Sequence, residues 1–216
     1  AGRDRVSRSM ETPRGLVRLS LPSILGRPVI DALPSLVQRH PHLELDLRFS
    51  DRFVRLVEDE FDLAVRIGPL QDSGLIARRL RTPRRVLVGS PAYLARAGMP
   101  RRPAELSAHT GVLFVDPGGI DTPWTFQDAG EVVTVRPGRA VRMDLGERIV
   151  DAVVAGLGLC QALDGMVEDR MGTGELVEVL SDCAPVGPPV HALCVPGRQQ
   201  VPAVRVVLDL LVEALR

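Results

Sequence analysis

The side chains of this chain that could do covalent or acid–base chemistry are scattered. Gly89-Ser90-Pro91 offers a hydroxyl, but without the glycine spacing that exposes a nucleophilic serine on a sharp turn. Ser90 therefore reads as the cap of a following helix. Gly156-Leu157-Gly158 resembles a dinucleotide loop only weakly, because it falls after a helix and before a strand. It reads as a helix stop. His40-Pro41-His42 lacks a neighbouring cysteine or acid to complete a metal set, and suits the C-terminus of a helix instead. His109 and His191 stand alone, and Asp62, Asp144 and Asp164 fall at element ends, where capping is their ordinary role. The three cysteines, Cys160, Cys183 and Cys194, are an odd number without metal-ligand spacing, which argues against a disulfide framework. No nucleophile–base pair, metal set or cofactor loop emerges, so neither catalysis nor a bound cofactor is expected.

One charged cluster remains. Arg78, Arg79, Arg81, Arg84 and Arg85 put five bases into eight residues, which could suit nucleic acid. Over the whole chain, however, 27 acids cancel 27 bases and aromatics make up only 3%. Nucleic-acid surfaces run on excess positive charge and stacking rings, so the cluster reads as a solvated ridge. Every one of the bases is arginine, a rigid planar donor.

What must position these residues is an aliphatic core. The chain has 216 residues, 45% of them hydrophobic, enough for two small lobes. No apolar run is long enough to span a membrane, and the charged start lacks the apolar stretch of a secretory signal. A cytoplasmic protein is expected.

Residues 1–14 read as a polar tail. Leu16–Leu21 then reads as a buried strand, and Val29, Ile30, Leu33, Leu36 and Val37 recur at helical spacing up to His40-Pro41. Leu43–Phe49 alternates as a strand, a short helix carrying Val54, Leu56, Val57 and Phe61 is expected to begin after Ser50 or Asp51, and Leu63–Ile67 is a third strand closed by Gly68. This β-α-β-α-β order implies a parallel sheet flanked by helices. Further strands are expected at 75–80, 86–89, 111–115, 131–135, 159–162, 176–180 and 190–195. Helices are expected after Ser90, over 146–155 and 165–171, and at 201–215. The proline-rich segment 181–189 reads as a return linker, making the first of two α/β lobes discontinuous.

Several motifs in order resemble one family. Gly15–Pro22, Ser50-Asp51-Arg52-Phe53-Val54, Glu60–Gly68, Leu75–Leu80, Ser90-Pro91-Ala92-Tyr93-Leu94, Trp124-Thr125-Phe126, Val153–Gly158 and Gly174-Glu175-Leu176-Val177 look like the effector-binding domain of LysR-type transcriptional regulators. The resemblance covers about residues 15 to 215. It departs from the family pattern at Ile24, where a hydroxyl residue is often found, at Cys160-Gln161, and at Glu60, which replaces a common glycine.

The resemblance implies two Rossmann-like α/β lobes joined by two interlobe crossovers, as in type 2 periplasmic binding proteins. Lobe I would comprise 15–83 and 190–216 and lobe II 84–189, with 1–14 the end of a linker helix. The family's N-terminal winged helix-turn-helix is absent from this chain, so DNA contact is expected only through that missing part. The implied function is effector sensing and dimerisation, with tetramers in the full-length protein. A solute-binding protein of an uptake system, on the same fold, is the alternative, and an enzyme on that scaffold a third class.

Ligands of open α/β sheets lie outside the carboxyl ends of the strands. Here those ends are Ser23, Ile24, Ser50, Asp51 and Gly68 in lobe I, and Asp144, Leu145, Gln161 and Ala162 in lobe II. Helix N-termini near Arg27 and Gly146 favour an anionic group, whereas Asp51 and Asp144 oppose one. Ser50 is expected to present its hydroxyl and a helix N-terminus to the cleft, Gln161 a carboxamide, and Ile24 an apolar wall. A small, partly apolar acid or amide is the expected effector.

Overall fold

The structure is a computed structural model describing residues 12–52, 54–70 and 74–216. Most of the expected tail, residues 1–11, and Phe53 of the family-like motif lie outside the described residues.

The opening strand β1 (Gly15–Leu21) alternates Val17, Leu19 and Leu21 into the core and pairs in parallel with β2 (Leu43–Phe49). Between them runs helix α1 (Gly26–Arg39), whose Val29 and Leu36 are buried at the i, i+7 spacing of one helix face. The helix stops at His40, as expected from Pro41. β3 (Leu63–Ile67) pairs in parallel with β1, and β4 (Ile76–Arg81) forms an edge of the sheet.

The chain then enters a second sheet through β5 (Arg85–Gly89) and helix α2 (Pro91–Ala97), which Ser90 caps by accepting the Tyr93 N–H. β6 (Thr110–Phe114), β7 (Trp124–Asp128), β8 (Glu131–Val135) and β9 (Arg139–Met143) follow. Helix α3 (Gly146–Val154), β10 (Leu159–Leu163), helix α4 (Asp164–Gly172) and β11 (Val177–Val179) complete that half. The chain returns to the first sheet as β12 (Val190–Cys194) and ends in helix α5 (Pro202–Ala214). The strand orders are β2-β1-β3-β12-β4 and β11-β5-β10-β6-β9, with β7 and β8 a separate hairpin.

The first lobe's core lies between its sheet and α1 and α5, where Leu19, Leu21, Leu63, Val204 and Leu211 are sealed from solvent. Sheet two is covered on both faces: Val86, Val88, Val112, Val153 and Val167 pack on one, Leu87, Tyr93, Leu106, Trp124 and Phe126 on the other. Burying a side chain of this size contributes about 1.5–3 kcal/mol, so these clusters set the architecture.

Three expectations are corrected. The strands of the first seventy residues are parallel as expected, but the sheet as a whole is mixed, because β12 runs antiparallel to both β3 and β4. A strand that returns from the far end of the chain needs no right-handed crossover, and no alternation of elements reveals its direction. Secondly, no helix forms over Val54–Phe61, only a turn. Asp59 accepts the Arg55 N–H at 2.8 Å, and Glu60, at φ 59°, adopts the left-handed conformation that ends helical propagation. Thirdly, β7 and β9 are strands that the sequence reading did not single out. The glycine pair is a helix stop as expected, with Gly156 at φ 85° just past α3.

Candidate functional site

The two lobes are joined by crossing strands that touch. Gly187 donates to the Pro83 carbonyl at 2.7 Å and Arg85 to that of Pro185 at 3.0 Å. The arginine ridge lies here and is largely paired. Arg78 meets Asp209, Arg84 meets Glu178, and Arg81 of β4 reaches Asp164 at the start of α4 at 2.5 Å, tying one lobe to the other.

Beside this hinge a cavity of about 440 Å³ opens between the lobes, within the ~300–1,000 Å³ typical of small-molecule sites. Its walls are mainly apolar, with Ile24 and Ile67 on one side and Phe114, Ile149, Val150 and Met166 on the other. Lobe contact is close. A Cβ on Gly146, the first residue of α3, would lie 3.1 Å from Ile24 Cδ1 and 3.3 Å from Met166 Cε. Ser23 donates across the cleft to Glu147 at 3.2 Å.

Of the residues expected at the site, the cavity is lined by Ile24, Asp51, Gly68, Gln161 and Ala162. Ser23 stands beside it in contact with Glu147, and Leu145 precedes α3 half exposed. Asp144 directly follows β9, two residues before α3, and its charge is felt at Asp51. Ser50 does not line the cavity; its hydroxyl accepts the Arg52 N–H at 3.2 Å, and no helix follows it. The Gln161 carboxamide is engaged on both ends by Thr125. It accepts that residue's N–H at 3.1 Å and donates to its carbonyl at 2.6 Å, fastening the β7–β8 hairpin to β10.

The wall carries four charged groups, two on each side. Asp51 and Arg66 belong to lobe I. Burial, reinforced by the Glu147 and Asp144 carboxylates, holds the Asp51 carboxyl above the ordinary range, while Arg66 pulls it the other way. Arg66 is only 6% exposed, and burial lowers its guanidinium despite the Asp51 charge beside it. From lobe II come Asp116, which accepts the Gly118 and Ile120 N–H groups at 2.9 Å, and Arg85. The two arginines and Asp116 were missed by sequence reasoning. Arg66 alternates with apolar neighbours inside a strand, and Arg85 looked like the tail of a solvated ridge. Register gives a signal for Arg85: β5 runs antiparallel to β10, so its first residue pairs with Leu163 at the cleft end.

A second hollow of about 420 Å³ lies on the first lobe beside Leu16, Val57 and Phe61. Its charges are already paired, Arg18 with Glu60 and Arg198 with Asp62. The interlobe cavity is the better site, because it is more apolar and draws on both lobes. Among the described residues no cluster of His, Cys, Asp or Glu could hold a metal. None of the helices there is long and apolar enough to cross a membrane.

This architecture defines a class: two α/β lobes joined by two crossing strands, with a mainly apolar cleft between them. The family profile described as LysR substrate binding domain matches residues 10–216, and the chain belongs to that family. The HTH-type transcriptional regulator CrgA of Neisseria meningitidis serogroup C strain 8013 is 31% identical over 209 residues, 95% of this chain and 69% of the relative. A second CrgA, from serogroup B strain MC58, is matched over 59% of its length at 33% identity. The solved regulatory domain of Neisseria meningitidis CrgA, a LysR-type transcriptional regulator, superposes with a TM-score of 0.82 at 30% identity. That superposition covers 94% of this chain and all of the other. The family is one of transcriptional regulators, not an enzyme family.

Proposed function

We propose that this chain senses a small-molecule effector for a LysR-type transcriptional regulator, binding it in the interlobe cleft and passing the change to DNA-binding heads outside this chain. The observation that carries the reading is the mainly apolar cavity walled by both lobes, at the carboxyl ends of the first sheet's parallel strands. A ligand touching both walls binds different lobe arrangements with different affinity, which is all that a shift between them requires. The relatives, named as transcriptional regulators, favour this over a solute-binding protein. Lobe I is taken as 15–83 with 190–216, lobe II as 84–189.

The reading includes a cytoplasmic homodimer, with tetramers in the full-length protein and DNA bound only through the heads. Exposed Ile30 and Val37 on α1, and Leu145 and Leu157 flanking α3, supply apolar surface for an antiparallel pairing of lobe I with lobe II.

The test is a thermal-shift screen of chemically mixed metabolites. Hits are mapped by ¹³C-methyl methionine spectra, in which Met166 lines the cleft and exposed Met99 is the control. Hits are expected to move Met166 and spare Met99. A screen whose hits all leave Met166 unmoved would overturn the reading.

A further inference from the structure

The charges on the cleft wall differ in what answers them. Asp116 has one carboxylate oxygen taken by two N–H groups of its own turn, and in lobe I the charges of Asp51 and Arg66 act on each other. Arg85 stands apart. It is partly buried at the cavity wall, and its guanidinium has neither ion pair nor hydrogen bond among the described residues. Burial alone acts on its protonation, in the direction that disfavours the charge. A guanidinium stays charged under any physiological condition, so a full positive charge stands at the cavity wall with no partner among the described residues. The residue that pairs with it across the sheet is apolar Leu163, another wall residue.

Resting on the cleft reading above, we propose that Arg85 is the anion receptor of the site and that the ligand is a monocarboxylic acid with a compact apolar body. The planar fork of Arg85 would take the carboxylate through two parallel N–H···O bonds. Ile24, Ile149, Val150 and Met166 would enclose the apolar part. The far wall selects against a second carboxylate, since Asp51 already stands near the charges of Glu147 and Asp144, with only Arg66 opposing them. Because Arg85 belongs to lobe II and Ile24 to lobe I, such a molecule would bridge the lobes with opposite ends of its structure.

The test is calorimetric titration with hexanoate and phenylacetate, their neutral amides, and the dicarboxylate adipate, on wild type, Arg85→Gln and Arg85→Lys. Wild type is expected to bind at least one monocarboxylate at least tenfold more tightly than its amide and than adipate. Arg85→Gln should lose at least tenfold and bind acid and amide alike, while Arg85→Lys, which keeps the charge but not the fork, falls between. Because the guanidinium holds no described partner, unliganded Arg85→Gln should melt no lower than wild type, which separates lost binding from lost folding. The assignment is overturned if amides bind as well as acids, if Arg85→Gln binds the acid as tightly as wild type, or if neither monocarboxylate binds. Neutral or cationic compounds from the screen that move Met166 would leave the cleft reading standing while the Arg85 assignment falls. If no compound of any class moves Met166, both fall.

Discussion

Replacing Asp62 by alanine should remove a fastener that joins three parts of lobe I. Asp62 is 8% exposed and sits just before β3. Its backbone N–H donates to the Arg18 carbonyl at 2.9 Å, and its carboxylate accepts the Arg18 N–H at 2.9 Å, so the two residues extend the β1–β3 ladder. The other carboxylate oxygen takes the guanidinium of Arg198, from the turn after β12. Alanine leaves the Arg18 N–H without its acceptor, at a cost of about 1–3 kcal/mol. The Arg198 side chain is 45% exposed, so the ion pair itself adds only about 0.5–1 kcal/mol after solvent screening. Together these give a loss of about 2–4 kcal/mol, which for a chain of this size lowers Tm by roughly 4–16 °C. Asp62→Asn keeps an acceptor for the Arg18 N–H and should cost only about 1 kcal/mol. Urea and thermal unfolding followed by far-UV circular dichroism would read both. A change within about 0.5 kcal/mol for Asp62→Ala, the range of ordinary surface substitutions, would refute the argument. So would an asparagine as damaging as alanine, since the side-chain acceptor for the Arg18 N–H would then not be the main contribution.

Two further outcomes are expected. Glu60 holds φ 59° with its side chain 76% exposed, so Glu60→Gly should gain about 0.5–1 kcal/mol by relieving left-handed strain, whereas Glu60→Ala should gain nothing; equal effects of the two would sink the strain argument. Asp51→Asn should stabilise the unliganded protein at pH 7. A carboxyl held above its ordinary range costs stability as pH rises from that range through its folded pKa, so the gain should vanish as pH falls toward about 4, and a gain independent of pH would count against it.

The framework was legible because it is written in periodicity and punctuation. Leu43–Phe49 alternates so strictly that only a strand fits, and Pro41 ends α1 by steric exclusion. The same rules failed where one local contact outweighs propensity. Val54–Phe61 has helical spacing, yet the Asp59 carboxylate captures the Arg55 N–H and Glu60 turns the chain away. The site divides similarly. Strand ends placed Ile24, Asp51, Gly68, Gln161 and Ala162 at the wall, because sheet topology carries that information. Which polar groups remain available there is a matter of long-range pairing. Thr125 occupies the Gln161 carboxamide from 36 residues away, and nothing in local sequence separates Arg85, unpaired among the described residues, from its paired neighbours Arg81 and Arg84.

The interlobe contacts differ in leverage. Arg81–Asp164 and the Gly187–Pro83 hydrogen bond lie at the crossing strands, close to any pivot between the lobes. A rotation there displaces such contacts little, so they can hold the lobes together in more than one arrangement. Ser23–Glu147 and the approach of Ile24 to Gly146 instead join α3 to the 3-10 turn after β1 directly across the cleft. That edge carries opposed forces. The Ser23 hydroxyl attracts Glu147 across the gap, while Asp51, on the same side as Ser23, is repelled by Glu147 and Asp144. A molecule that bridges the walls beside this edge therefore acts on a contact whose own terms partly cancel. Since a ligand can shift an equilibrium between lobe arrangements only by its differential affinity, a molecule touching both walls would act through contacts of this kind rather than through those at the crossing strands.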